Sequence, residues 1–103
     1  MMAHREDATR RRALARFYEN LALSSEDGGY YINPTGIERR RKIIGMLSPS
    51  KKDVIFELGC GDGNLSANLG IRVKRMCGLD ISRTRAKRAG KKRMEVVCAD
   101  AAS

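Results

Sequence analysis

The sequence predicts an α/β fold in which short parallel strands alternate with helices, and three observations predict it. Val54, Ile55, Phe56 and Leu58 form a short apolar run, the pattern of a buried strand, and Gly59, Gly61 and Gly63 follow at alternate positions. Two further strand-like stretches, residues 74–79 and 94–99, each end on a carboxylate, Asp80 and Asp100. Between these stretches lies room for one short helix each, as parallel strands require.

Two helices are expected ahead of the sheet. In residues 8–22, Leu14, Phe17, Tyr18 and Leu21 fall at helical spacing on one face, with Arg10, Arg12, Arg16 and Glu19 on the rest. A turn at residues 24–29 ends in Gly28 and Gly29, and residues 30–34 read as an extended link because Pro34 disfavours helix at Asn33. The second helix begins at Thr35, where Thr35 and Glu38 have capping-box spacing. Its apolar face is Ile37, Ile44 and Leu47, with Ile43 and Met46 beside them, and Ser48-Pro49-Ser50 ends it. Past the glycines, residues 64–69 form a short helix with Gly70 as C-cap. Ser82 is the expected N-cap of the next helix, which runs to about Ala89.

Glu57 stands near the end of the first strand, so the motif is E-x-G-x-G-x-G, and Asn64 occupies the place where a dinucleotide fingerprint has its last glycine. Without a Cβ, glycine lets the chain turn sharply and approach a ligand closely. The carboxylates Asp80 and Asp100 fall at the strand ends, the lip where open α/β sheets bind ligands.

From Asp53 onward, roughly half of the chain resembles the class I S-adenosylmethionine-dependent methyltransferases. The resemblance rests on Glu57 with the glycine turn, on Gly78-Leu79-Asp80-Ile81-Ser82, and on Val96-Val97-Cys98-Ala99-Asp100-Ala101. It implies a Rossmann-like three-layer αβα domain over residues 53–103 with only the first three strands of its parallel sheet. Residues 1–52 would then be a helical cap, with Tyr30 or Tyr31 available to line it. It also implies S-adenosyl-L-methionine as cofactor. Gly59, Cys60, Gly61 and Gly63 would meet the methionine carboxylate through backbone amides, and Glu57 the ammonium. Asp80 would accept from both ribose hydroxyls, Ile81 would pack on the adenine, and Asp100 with Ala101 would meet its exocyclic amine. Asp62 is either a polar ligand contact or a solvent-facing turn residue. No catalytic base can be named. The fourth strand of that family pairs with the first, so the first strand here should be a bare apolar edge and the chain a C-terminally truncated fragment, marginally stable alone.

At 103 residues the chain is one small domain at most, and no stretch approaches a membrane span. The N-terminus has no apolar core, so it is no secretory signal, and a cytoplasmic location is the default. Cys60, Cys77 and Cys98 lack C-x-x-C spacing and imply neither a zinc site nor a disulfide framework. Cys77 and Cys98 are expected to be buried on strands, and Cys60, in the glycine turn, has no histidine near it in sequence. The net charge of +9 clusters in Arg10-Arg11-Arg12, Arg39-Arg40-Arg41-Lys42 and residues 83–93, a balance that suits polyanions as well as ordinary solvated helix faces. A methyltransferase acting on a small molecule is therefore the leading reading. An RNA methyltransferase of the same fold, a fragment of an NAD-binding oxidoreductase, and a non-catalytic basic module needing a partner chain or complementing C-terminal half are the alternatives.

Overall fold

The computed structural model describes residues 2–27, 34–69 and 72–101, without the side chains of residues 2–6 and of Ser66. In chain order its elements are α1 (Met2–Leu23), α2 (Pro34–Leu47), β1 (Val54–Leu58), α3 (Asn64–Leu69), β2 (Arg75–Asp80), α4 (Arg83–Gly90) and β3 (Glu95–Cys98). The strands form one parallel sheet in the order β1-β2-β3. Val54 lies opposite Arg75 and Leu58 opposite Leu79, and on the other side of β2 Cys77 faces Glu95 and Asp80 faces Cys98. The α/β class read from the sequence is the observed one. Strands two and three each start one residue later than expected, at Arg75 and Glu95.

Local chemistry sets several of these boundaries. Ser82 is extended (φ −86°, ψ 123°) and its Oγ accepts from the Arg85 amide at 3.2 Å, the N-cap geometry expected for α4. The helix continues through Gly90, and the Lys91 amide closes it on the carbonyls of Arg88 and Ala89. Helix α1 begins at Met2, six residues ahead of the expected start, since nothing in Ala3-His4-Arg5-Glu6-Asp7 breaks a helix. Helix α2 begins at Pro34, whose fixed φ and missing N–H suit a first helical position. Thr35 therefore lies inside the first turn, and Glu38 faces Arg41 at 3.9 Å instead of completing a capping box. The expectations for Gly28, Gly29, Tyr30, Tyr31 and Gly70 lie outside the described residues.

Side chains alternate across the sheet. One face carries Ile55, Met76 and Val96, which pack with Cys60, Leu65, Leu69, Val73, Ala89 and Met94 into the core between the sheet and helices α3 and α4. Gly78 leaves room in β2 for this packing, because a Cβ there would come within 2.6 Å of Met94 Cε and 3.0 Å of Cys60 Cβ. The opposite face is open: Val54, Phe56, Leu58 and Val97 are 57–65% exposed. Among the described residues the first strand is the apolar edge expected of it, and the exposed face extends across the sheet to β3. Arg75 and Glu95 share that face and pair at 2.5 Å, both well exposed.

Two burial expectations are corrected. Cys77 is only half-buried, donating to Glu95 Oε2 at 3.2 Å on the uncovered face, and Cys98, though on the side of Val96, is exposed at the end of the edge strand β3. On α2, Ile43 and Ile44 pack against the core while Ile37, Met46 and Leu47 are exposed. The helix is rolled relative to the face that its spacing suggested.

Candidate functional site

The turn from β1 to α3 is built on backbone geometry. Gly59, Gly61 and Gly63 all have positive φ (68°, 57° and 84°), a region costly for residues with a Cβ. Above Gly59 and Gly61 a Cβ would meet nothing within 4 Å, and that open space is the cleft. Gly63 is different: it is packed against Ala89 of α4 and Met94.

The cleft has a volume of about 610 Å³, within the range of small-molecule sites. Gly59, Gly61, Asp80, Ile81, Asp100 and Ala101, all expected from the sequence, line it. Three other expected residues do not. Cys60 is 4% exposed, with its thiol in the core and its amide donating to the Leu79 carbonyl at 2.9 Å. Gly63 serves helix packing, and Glu57 is half-buried on β1, outside the cleft lining. Burial first, then the charges of Asp80 and Glu57, push the Cys60 thiol up to about 12, so this sulfur is no nucleophile. Alkylation with iodoacetamide at about pH 8 is expected to label exposed Cys98 and leave Cys60 untouched in the folded protein. Peptide mass spectrometry reads this, and equal labelling of the two would contradict the burial.

Asp80 is the organising group. It is 8% exposed, its Oδ2 accepts from the Gly61 amide at 2.8 Å, and its Oδ1 accepts from the Ser82 amide at 2.9 Å. Both oxygens are thus fixed by backbone donors. A carboxylate has about four acceptor positions, so capacity remains on the cleft side. Asp62 is no solvent-facing turn residue, and it lines the cleft beside Gly61. It is buried and ion-paired with Arg85 at 3.3 Å and Arg88 at 3.5 Å, so it ties the glycine turn to α4. The Lys92 ammonium adds a bond to the Asp62 carbonyl at 2.8 Å and an ion pair with Asp27.

Sequence reasoning missed part of the wall. Leu14, Tyr18 and Leu21 of α1 line the cleft, so the apolar stripe recognised on this helix faces the site. Phe17, assigned to the same stripe, is 60% exposed and packs edge-on to Tyr18 with ring centroids 5.2 Å apart. Asn64 also lines the cleft, and its buried Nδ2 has no hydrogen-bond partner, an orphan donor beside the glycine turn. Glu19, expected on the polar face of α1, accepts from Ser82 Oγ, the Thr84 amide and Thr84 Oγ1 at 2.7, 2.9 and 3.0 Å. The Ser82 bond, followed by that from the Thr84 amide, holds its carboxyl below the usual carboxylate range. A depressed pKa stabilises the fold above the ordinary carboxylate range, and that contribution is lost as pH falls through the lowered value.

Known proteins sharpen this picture. No family model matches the chain. Over 47 residues it is 38% identical to a probable cobalt-precorrin-6B C(15)-methyltransferase (decarboxylating) of Methanothermobacter thermautotrophicus, a match covering 46% of this chain and 24% of that protein. Among solved structures, the N-methyltransferase NodS from Bradyrhizobium japonicum WM9, in complex with S-adenosyl-L-homocysteine, aligns with a TM-score of 0.66 at 19% identity, over 84% of this chain and 47% of that one. The fold is that of the class I S-adenosylmethionine-dependent methyltransferases. A dimethyladenosine transferase from Plasmodium falciparum aligns with a TM-score of 0.59 at 29% identity, covering 67% of this chain and 26% of its own. The chain thus spans between about a quarter and a half of these methyltransferases. Among its described residues, no helix is long and apolar enough to cross a membrane.

The residues present fit the cofactor that goes with this methyltransferase fold. An amino acid carboxylate needs donors, and Asn64 Nδ2 is an unused donor at the cleft. A ribose needs a carboxylate held in place, and Asp80 is held at both oxygens. An adenine needs an apolar slot, and Ile81, Leu79 and Ala99 line the cleft near Asp100.

Proposed function

We propose that the chain is the S-adenosylmethionine-binding part of a methyltransferase. The observation that carries the reading is the Asp80 carboxylate, fixed by the Gly61 and Ser82 amides at the mouth of a cleft with an orphan amide donor across the glycine turn. Asp80 accepts from the ribose hydroxyls, Asn64 and the turn bind the methionine end, and Ile81, Asp100 and Ala101 take the adenine. When bound, S-adenosylmethionine supplies an electrophilic sulfonium methyl for an acceptor atom, leaving S-adenosylhomocysteine. This chain's own contribution is alignment and the exclusion of water by the Leu14, Tyr18 and Leu21 wall. The open sheet face and the fraction of its relatives that the chain spans support the view that acceptor binding needs further polypeptide.

Calorimetric titration with S-adenosylhomocysteine and, separately, NAD tests this. Saturable binding of the first in the micromolar range and none of the second is expected. Preference for NAD would transfer the chain to the oxidoreductases, which the same ribose carboxylate also suits.

The acceptor is a small molecule on this reading, since α1 walls the cleft on one side. An RNA acceptor is the second reading, favoured by the exposed Arg10, Arg11, Arg12 and Arg16 on α1 and Arg39, Arg41 and Lys42 on α2. An RNA affinity that falls steeply with added salt would select it.

A further inference from the structure

We propose that Glu19 is a positioning residue for the cofactor cleft, clamping α1 over it and, through Ser82, fixing the turn that orients Asp80. The inference rests on the reading of the cleft as an S-adenosylmethionine site and adds a residue that belongs to none of its walls.

Three hydrogen bonds join Glu19 to the first turn of α4, from Ser82 Oγ, the Thr84 amide and Thr84 Oγ1. A carboxylate at a helix N-terminus meets free amides and the positive end of the helix dipole, so it is well placed there. Ser82, which is fully buried, is where the two functions meet. Its hydroxyl donates its one proton to Glu19 and accepts from the Arg85 amide, while its own amide donates to Asp80 Oδ1. A chain of hydrogen bonds therefore runs from Glu19 through Ser82 to Asp80 and on to the Gly61 amide.

The same contact sets the roll of α1. Helix α1 lies alongside α4, with Glu19 at the first turn of α4 and Ser25 bonded by Arg88 near its last. With Glu19 seated, Leu14, Tyr18 and Leu21 face the cleft and Ala22 is fully buried. Release of Glu19 frees the helix to roll or lift, removing the apolar wall and loosening the Ser82 turn together.

Trypsin reads the position of α1 directly, because Arg10, Arg11, Arg12 and Arg16 are exposed on it. Wild type, Glu19→Ala and Glu19→Gln are compared for S-adenosylhomocysteine affinity and for cleavage within α1, each with and without saturating ligand. Glutamine keeps one acceptor oxygen for Ser82 and Thr84, so it should restore most of what alanine loses. For Glu19→Ala the affinity is expected to fall about ten-fold, the loss of charge-assisted hydrogen bonds. Cleavage in α1 should quicken, and ligand should no longer slow it. Glutamine restoring both readouts separates positioning from a general loss of stability. Wild-type affinity with undiminished ligand protection of α1 in Glu19→Ala overturns the proposal and leaves the cofactor reading standing. Failure of the folded wild type to bind S-adenosylhomocysteine overturns both. Should Glu19→Ala not fold, Glu19→Met, which keeps the side-chain length and removes the acceptors, takes its place: an affinity loss of about ten-fold with lost ligand protection of α1 supports the clamp, and no change in either overturns it.

Discussion

Replacing Gly63 with alanine is expected to remove much of the chain's folding stability and to shift its urea midpoint sharply down. The added Cβ would lie 2.9 Å from both Cα and Cβ of Ala89 and 3.2 Å from Met94 Sδ. The Ala89 Cα is backbone and cannot swing away, so α3 and α4 must part. A φ of 84° adds a second penalty, since a Cβ crowds the backbone there. Left-handed strain costs about 1–2 kcal/mol and overpacking about 1–3 kcal/mol, so the sum is about 2–5 kcal/mol. Small domains have about 5–15 kcal/mol in total, and a sheet with one face open belongs at the low end. Far-UV circular dichroism and a urea titration check this. Gly59→Ala is the control, because its Cβ would meet no atom within 4 Å and only the strain of a positive φ remains. A Gly63→Ala midpoint equal to that of wild type would show that α4 yields more easily than its packing implies.

Asp80→Asn is expected to abolish S-adenosylhomocysteine binding at accessible concentrations while leaving the fold recognisable. Hydrogen bonds to a charged group contribute about 1.5–3 kcal/mol each, and the ribose would make two of them. Losing both weakens binding at least a hundred-fold. Asparagine has one oxygen for two backbone donors, so its amide must oppose either the Gly61 or the Ser82 amide. The glycine turn should therefore loosen as well, lowering the thermal midpoint. Asp80→Ala leaves both amides without their acceptor and should lower it further. Titration calorimetry with melting curves on both variants separates the effects. A folded Asp80→Asn with unchanged affinity would assign the ribose to another group.

Much of the fold was legible because its signals are local. The apolar run of β1, the left-handed glycines after it and the Ser82 cap each lie within a few residues of what they control. Helix α3 has the expected bounds for the same reason. The cleft residues at the strand ends were legible too, since Asp80 closes β2 and Asp100 follows the end of β3, the lip of a parallel sheet. What escaped was tertiary. Nothing near Glu19 announces that its partners are Ser82 and Thr84, more than sixty residues on. Asp62 looks like a turn residue until Arg85 and Arg88 come round on α4. Cys77 and Cys98 have strand surroundings in sequence, but burial on a strand depends on whether anything covers the face, for Cys77, or the end of an edge strand, for Cys98. Glu57, Cys60 and Gly63 match a motif, and the motif does not say which of its members point to ligand and which to core.

The order of the strands has a consequence for how the chain acquires its structure during synthesis. Each strand pairs with the next one made: β1 with β2, then β2 with β3. Among the described residues no ladder waits for a distant segment, and each loop closure spans a single short helix. Parallel sheets are commonly slow to assemble because their partners are far apart along the chain. Here assembly can follow the ribosome, with β1 held open only until Arg75 to Asp80 has emerged, and with the Asp80 carboxylate captured by Gly61 at the same moment. The binding turn and the first strand pair are thus products of one folding event.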